Sequence, residues 1–169
     1  MKKSKSYFLI IIFFLLSISN SLANNLAFID LDLVLKNSNI GKEIYKKLED
    51  QKETQIKDLK AREIKIKEIE EEIKNKQNII SKDDLAKEIN KLKKIINDFN
   101  IYKNEMETEY QKSKNNEILN FFNKIDPLIQ AYLSENSIDI LFNNKNIIIG
   151  KDSLDITNKI ITIVNSKIE

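Results

Sequence analysis

Between Ile40 and Phe122 apolar residues recur with a spacing of seven. In the first half Tyr45, Leu59, Ile66, Ile73 and Ile80 share one heptad position and Leu48 and Ile69 a second, with Lys52, Gln55, Arg62 and Lys76 interrupting. In the second half Leu85, Leu92, Phe99 and Met106 share one position and Ile89, Ile96 and Tyr110 the other, interrupted by Lys103. An apolar period of 3.5 residues set in Lys and Glu predicts coiled-coil helices. Between the two lies "NIISKDDL", where Ser81 stands three residues before Asp84, the spacing of a helix N-cap and its partner. So short a connection between two helices predicts an antiparallel hairpin. The arms, 40–80 and 82–122, are each about 40 residues, which at 1.5 Å per residue makes a projection roughly 60 Å long.

The seam has a gap in each arm. No apolar residue occurs in "EDQKETQ" (Glu49 to Gln55) or in "QKSKNNE" (Gln111 to Glu117). For a hairpin turning near Ser81, residue i faces roughly residue 162 minus i, so the two gaps nearly oppose one another. Helices without apolar knobs lose the burial that joins them, while ion pairs add only tenths of a kcal/mol each. The arms are therefore expected to bend or splay near the base, with Lys52, Gln55 and Ser113 as the candidate hinge. The alternative is that Ile56 and Tyr110 rotate in and cover the gap.

Outside the hairpin the period changes. "LAFIDL" (Leu26 to Leu31) reads as a buried strand followed by a helical turn, and "IDILFNN" and "NIIIG" read as two more strands with a turn at Asn143 to Asn146. "FFNKIDPLIQAYLSEN" is helical, and Pro127 is expected to kink or restart it. At the end Ile156, Ile160, Ile161, Val164 and Ile168 share one helical face. The expected fold is α+β, mainly α: a helical hairpin, 40–122, projecting from a small β-containing body made of 24–39 and 123–169. A three-stranded body of that size is marginal alone and has open edges, so self-association is expected to complete it. Phe121 and Phe122 are assigned to the core at the hairpin base rather than to a binding patch.

Composition narrows the chemistry. The 169-residue chain has no Cys, His or Trp, two Gly and one Pro. Zinc sites lose their usual ligands, a Gly-rich phosphate loop cannot be built from Gly41 and Gly150, and acid-base work would fall to carboxylates and Lys alone. No enzyme activity and no cofactor are expected. The start, "MKKSKSYFLIIIFFLLSISNSLA", has basic, apolar and small-residue regions in the order of a secretory signal peptide, cleaved near Ala23. Its apolar run falls short of the ~20 residues that span a bilayer, and no Cys follows to carry a lipid, so the mature chain is expected to be soluble. Cleavage removes Lys2, Lys3, Lys5 and no acid, turning the chain's net charge of +2 into −1. Nucleic-acid binding loses its electrostatic basis.

The order of signal peptide, "LAFIDLDLVLKNSNIGKEIYKKLE", long hairpin with its "SKDDLAKEINKLKKIINDF" restart, and "IDPLIQAYLSENSIDILFNNKNIIIGKDSLDITNKIITIVN" resembles the Skp/OmpH family of periplasmic chaperones. Gly41–Lys42 at the helix start and "SLDIT" (Ser153 to Thr157) carry it most specifically. The resemblance implies a periplasmic homotrimer whose helical tentacles enclose unfolded outer-membrane proteins without ATP, and Phe28, Ile29, Leu141 and Ile148 are expected in or near its shared core. Family members are often strongly basic, and this mature chain is near neutral. Its basicity is local: Lys74, Lys76, Lys82, Lys87, Lys91, Lys93 and Lys94 against Asp83, Asp84 and Glu88 give the hairpin tip a net +4. Such a tip suits anionic lipid headgroups or acidic client segments, or is a solvated coiled-coil end. The acidic runs Glu70 to Glu72 and Glu105, Glu107, Glu109 read as solvated faces. The rival reading is an adaptor coiled coil that tethers folded envelope components.

Overall fold

A computed structural model describes residues 25–168; the expected signal peptide lies outside them. The chain runs β1 (Leu26–Ile29), α1 (Leu31–Asn37), α2 (Asn39–Lys76), α3 (Lys82–Glu135), β2 (Ile140–Asn143), two 3₁₀ turns (Asn144–Asn146 and Asp152–Leu154) and α4 (Thr157–Lys167). The antiparallel hairpin is α2 against α3, projecting from a small α+β body, as the heptads predict.

Each helix start has a local cause. Asp30 caps α1, its side chain accepting from the Leu33 N–H at 2.9 Å. Ser38 serves two helices: its N–H donates to the Val34 carbonyl at the end of α1, and its hydroxyl accepts from the Gly41 N–H at 3.2 Å at the start of α2. Because Ser38 is fully buried, the elbow between the two helices is satisfied internally. Gly41 is required there, since a Cβ would stand 1.6 Å from the Leu35 carbonyl oxygen. Ser81 caps α3 as expected, accepting from the Asp84 N–H at 3.1 Å and donating to the Asp84 carboxylate at 2.7 Å.

Helix α3 does not stop at 122 or restart at Pro127; it continues to Glu135. Proline removes one backbone donor and crowds the preceding turn. Around it, however, Phe121, Ile125 and Ile129 are buried in the body, and that burial holds the helix through the proline. The boundary between arm and body thus falls within one helix. Ser137 then takes a left-handed conformation (φ 52°), and the Ile138 N–H returns to the Leu133 carbonyl, ending the helix and turning the chain into β2.

The sheet has two strands, not three. β1 and β2 are parallel, with Leu26 opposite Ile140, Ala27 opposite Leu141, Phe28 opposite Phe142 and Ile29 opposite Asn143. A parallel pair needs a crossover, and here the whole hairpin supplies it. The other edge of β1 is taken where the Ile156 N–H donates to the Phe28 carbonyl. With both edges of β1 occupied, the "NIIIG" run gains no place beside it, and residues 147–150 form no strand. The expected three-stranded sheet is corrected accordingly.

The core lies between the sheet and the hairpin base. Ala27 and Ile29, Val34 and Leu35, Ile44 and Leu48, Phe121, Ile125 and Ile129, and Ile156, Ile160 and Val164 form one buried cluster. Phe122 packs at its margin, its ring edge-to-face with Phe121 at 5.4 Å, so both aromatics belong to the base as expected. The terminal helix meets the core through the face read from the sequence and is tied in by hydrogen bonds from the Asp30 N–H to Thr157 Oγ1 and from the Asn39 N–H to Asn165 Oδ1.

Candidate functional site

Strand parity gives the sheet two faces. Ala27, Ile29 and Leu141 point at the chain's own helices, and Ile29 is buried there. The opposite face carries Leu26, Phe28, Ile140 and Phe142, all at least partly open to solvent, and beyond it Ile148 and Ile149 are 98% and 91% exposed. Of the four residues expected in a shared core, Ile29 and Leu141 therefore pack in the chain's own core, while Phe28 is half-buried on the opposite face and Ile148 is open to solvent. The Phe28 ring rests over Gly150, where a Cβ would come within 2.8 Å of it, so this small residue lets the 147–150 segment lie against the strand.

Along the arms the register follows the expected sum. Gln55 Nε2 donates to the Met106 carbonyl at 3.4 Å, Ser113 Oγ donates to Gln51 Oε1 at 3.1 Å, and Lys47 Nζ meets the Glu117 carboxylate. At the level of the seam gap the arms thus meet through polar side chains. Beside them lies a cavity of about 220 Å³ lined by Lys52, Gln55, Ile56, Leu59, Met106 and Tyr110. Tyr110 packs against the core cluster, but Ile56 stays 53% exposed; the gap is covered from one side only.

One turn further out, the arms make a three-residue contact that the heptads did not reveal. Tyr102 Oη donates to Asp58 Oδ2 at 2.7 Å, Arg62 Nε donates to the same oxygen at 2.9 Å, and the guanidinium lies 3.8 Å from the centre of the Tyr102 ring. The Tyr102 hydroxyl, then Arg62, hold the Asp58 carboxyl below its ordinary range. Next to this cluster runs an open groove floored by Ile66, Ile69, Ile95 and Phe99.

The seven tip lysines stand at the end of α2 and the start of α3, all exposed. Lys76 pairs with Glu72, Lys87 with Asp84 and Lys91 with Glu88 within their own helices. Among the described residues, no ion pair engages Lys74, Lys82, Lys93 or Lys94. The Ser81 hydroxyl, then Lys87, lower the pKa of Asp84. Between the lysines Ile79 is 81% exposed. Both acidic runs are solvent-facing, as expected.

Residues 25–164 match the family of outer membrane proteins described as OmpH-like. The chain belongs to that family. Its fold is similar to the crystal structure of a candidate outer membrane chaperone (OmpH-like) from Caulobacter crescentus, with a TM-score of 0.81 at 13% identity over 88% of each chain. No curated protein sequence matches the chain. Among the described residues of this OmpH-like chain no group of His, Cys, Asp and Glu is placed to hold a metal ion, and no helix is long and apolar enough to cross a membrane. The chain's distinctive surfaces are instead an open apolar sheet face at the root, a polar seam above it and a basic tip. Ile79, Phe142 and Ile149 were missed as surface features. Only Ile149 carried a usable signal, its place in the apolar run "NIIIG".

Proposed function

We propose that this OmpH-like protein is an ATP-independent holdase of the periplasm: a homotrimer whose arms enclose unfolded outer-membrane proteins and keep them from aggregating on the way to the outer membrane. The supporting observation is the apolar sheet face left open at the root of a long two-helix arm in a chain of this family. Leu26, Ile140 and Phe142 are left 39 to 47% exposed and Phe28 beside them is half-buried, and taking a large apolar side chain from exposed to fully buried contributes ~1.5 to 3 kcal/mol. Three such faces meeting on an axis would cover one another and send three arms, each roughly 57 Å long from the 38 residues of α2, around a shared space.

Holding a client there requires no catalytic group. Ile56, Ile64, Ile95 and Ile101 are 39 to 53% exposed along the arms, interspersed with long charged side chains. Each contact is weak and the sum adapts to any unfolded sequence. The client leaves when its own folding into the outer membrane removes the segments that the arms hold. The polar seam is the proposed hinge that lets the space widen for larger clients, and the tip lysines are the proposed contact with anionic headgroups.

The test is light scattering of a urea-unfolded β-barrel membrane protein diluted with and without the mature chain. Suppression near one trimer per client is expected. No suppression at any ratio rules the reading out and favours a tethering protein for folded envelope components.

A further inference from the structure

Arg62 is the chain's only Arg; every other basic position is Lys. It stands where a planar cation does what an ammonium cannot. Its face covers the Tyr102 ring while its edge donates through Nε to Asp58, and Tyr102 itself donates to that carboxylate. Two members come from α2 and the third from α3, so each interaction of Tyr102 crosses between the arms. The geometry closes a ring of three contacts: cation on aromatic, hydroxyl on carboxylate, guanidinium on carboxylate.

The seam changes character at this contact. Tipward, Ile66 is buried, and Ile69, Ile73, Leu92, Ile96 and Phe99 are half-buried between the helices. Bodyward, as far as Leu48 and Phe121, stand the Gln55 to Met106, Ser113 to Gln51 and Lys47 to Glu117 contacts and the 220 Å³ cavity. Solvent-reachable polar pairs open at little cost, whereas an apolar seam resists separation.

We infer that Asp58, Arg62 and Tyr102 form a cross-arm clasp that bounds the soft segment: tipward of it the two helices move as one body, and bodyward of it they separate and bend. The clasp stops a separation that begins in the polar stretch from running up the seam. It is a property of the single chain and holds whatever the arms enclose.

Pulsed electron spin resonance on the mature protein tests it, because the chain has no native Cys to compete for labels. One labelled pair, Lys65→Cys with Lys94→Cys, reports tipward of the clasp; another, Glu49→Cys with Lys112→Cys, reports bodyward. All four positions are exposed. The parent should give a narrow tipward distance distribution and a broader bodyward one. Arg62→Lys, which keeps the charge and loses the plane, should broaden the tipward distribution roughly twofold, as expected when a contact of cation–π strength is removed. Tyr102→Phe, which keeps the ring and loses the hydroxyl, should give an intermediate width. Circular dichroism checks that helicity is kept, and if Arg62→Lys loses it, Tyr102→Phe alone decides. A tipward width unchanged in the variant that decides, or a parent whose bodyward pair is no broader than its tipward pair, overturns the inference.

Discussion

A methyl group at position 41 has nowhere to go. Helix propensity alone favours Ala over Gly by ~1 kcal/mol in a helix interior, yet the added carbon would sit 1.6 Å from a backbone oxygen of the preceding helix, which cannot rotate aside. The clash outweighs propensity, because relief requires moving α2 off α1 and disturbing the buried Ser38 hydroxyl between them. Gly41→Ala should therefore destabilise the protein by ~2 kcal/mol, read as a lower urea midpoint. At this scale the sequence was partly legible. The Ser81 cap could be read because a hydroxyl three residues before an acid has a local meaning. The Asp58, Arg62 and Tyr102 contact could not, since it joins positions 40 residues apart, and Arg62 looked like one more interruption of the heptads.

The helical arms were the most legible elements, because a seven-residue apolar repeat specifies both helix and partner face. Even the pairing register could be read from the position of the turn. The failures came where an apolar run says only that burial is wanted. "NIIIG" reads as a strand, but β1 has both edges occupied and the segment does not pair with β2, so Ile148 and Ile149 are left outside. Pro127 reads as a break, but buried neighbours on both sides carry the helix through. The polar seam invites a direct experiment. Lys52→Leu, Gln55→Leu and Ser113→Leu together should fill the cavity beside Met106 and Tyr110, slow amide hydrogen exchange around residues 49–55 and 111–117, and reduce capture of the largest clients. Exchange already as slow there in the parent as at Ile66 to Ile73 would show that the seam is not soft.

For the whole molecule, the two faces of the sheet decide what can be tested. The sequence reading placed Ile29 and Leu141 with Phe28 and Ile148 because it took each strand as buried throughout and left parity unused. Only the outward set is available to another copy. Phe28→Asp should disperse the proposed trimer, read by ultracentrifugation at micromolar concentration with helicity retained; an unchanged sedimentation coefficient would show that this face is not the interface. At the other end, Lys87→Gln, Lys91→Gln, Lys93→Gln and Lys94→Gln together should leave assembly intact and weaken binding to anionic vesicles, with steep salt dependence in the parent. Equal binding by parent and variant would leave a merely solvated tip.

The parallel pairing of β1 and β2 also sets an order of events. The first hydrogen bonds of the body join Asn25 to Asp139, 114 positions apart, so a chain emerging amino terminus first carries an unmatched β1 until nearly all of it has appeared. The arms need only each other and a short turn, and contacts so close along the chain form early. Once formed, the hairpin brings its two ends together and removes most of the closure entropy that separates β1 from β2. The body is then expected to close last, so that the face through which one copy would meet another forms only on a nearly finished chain.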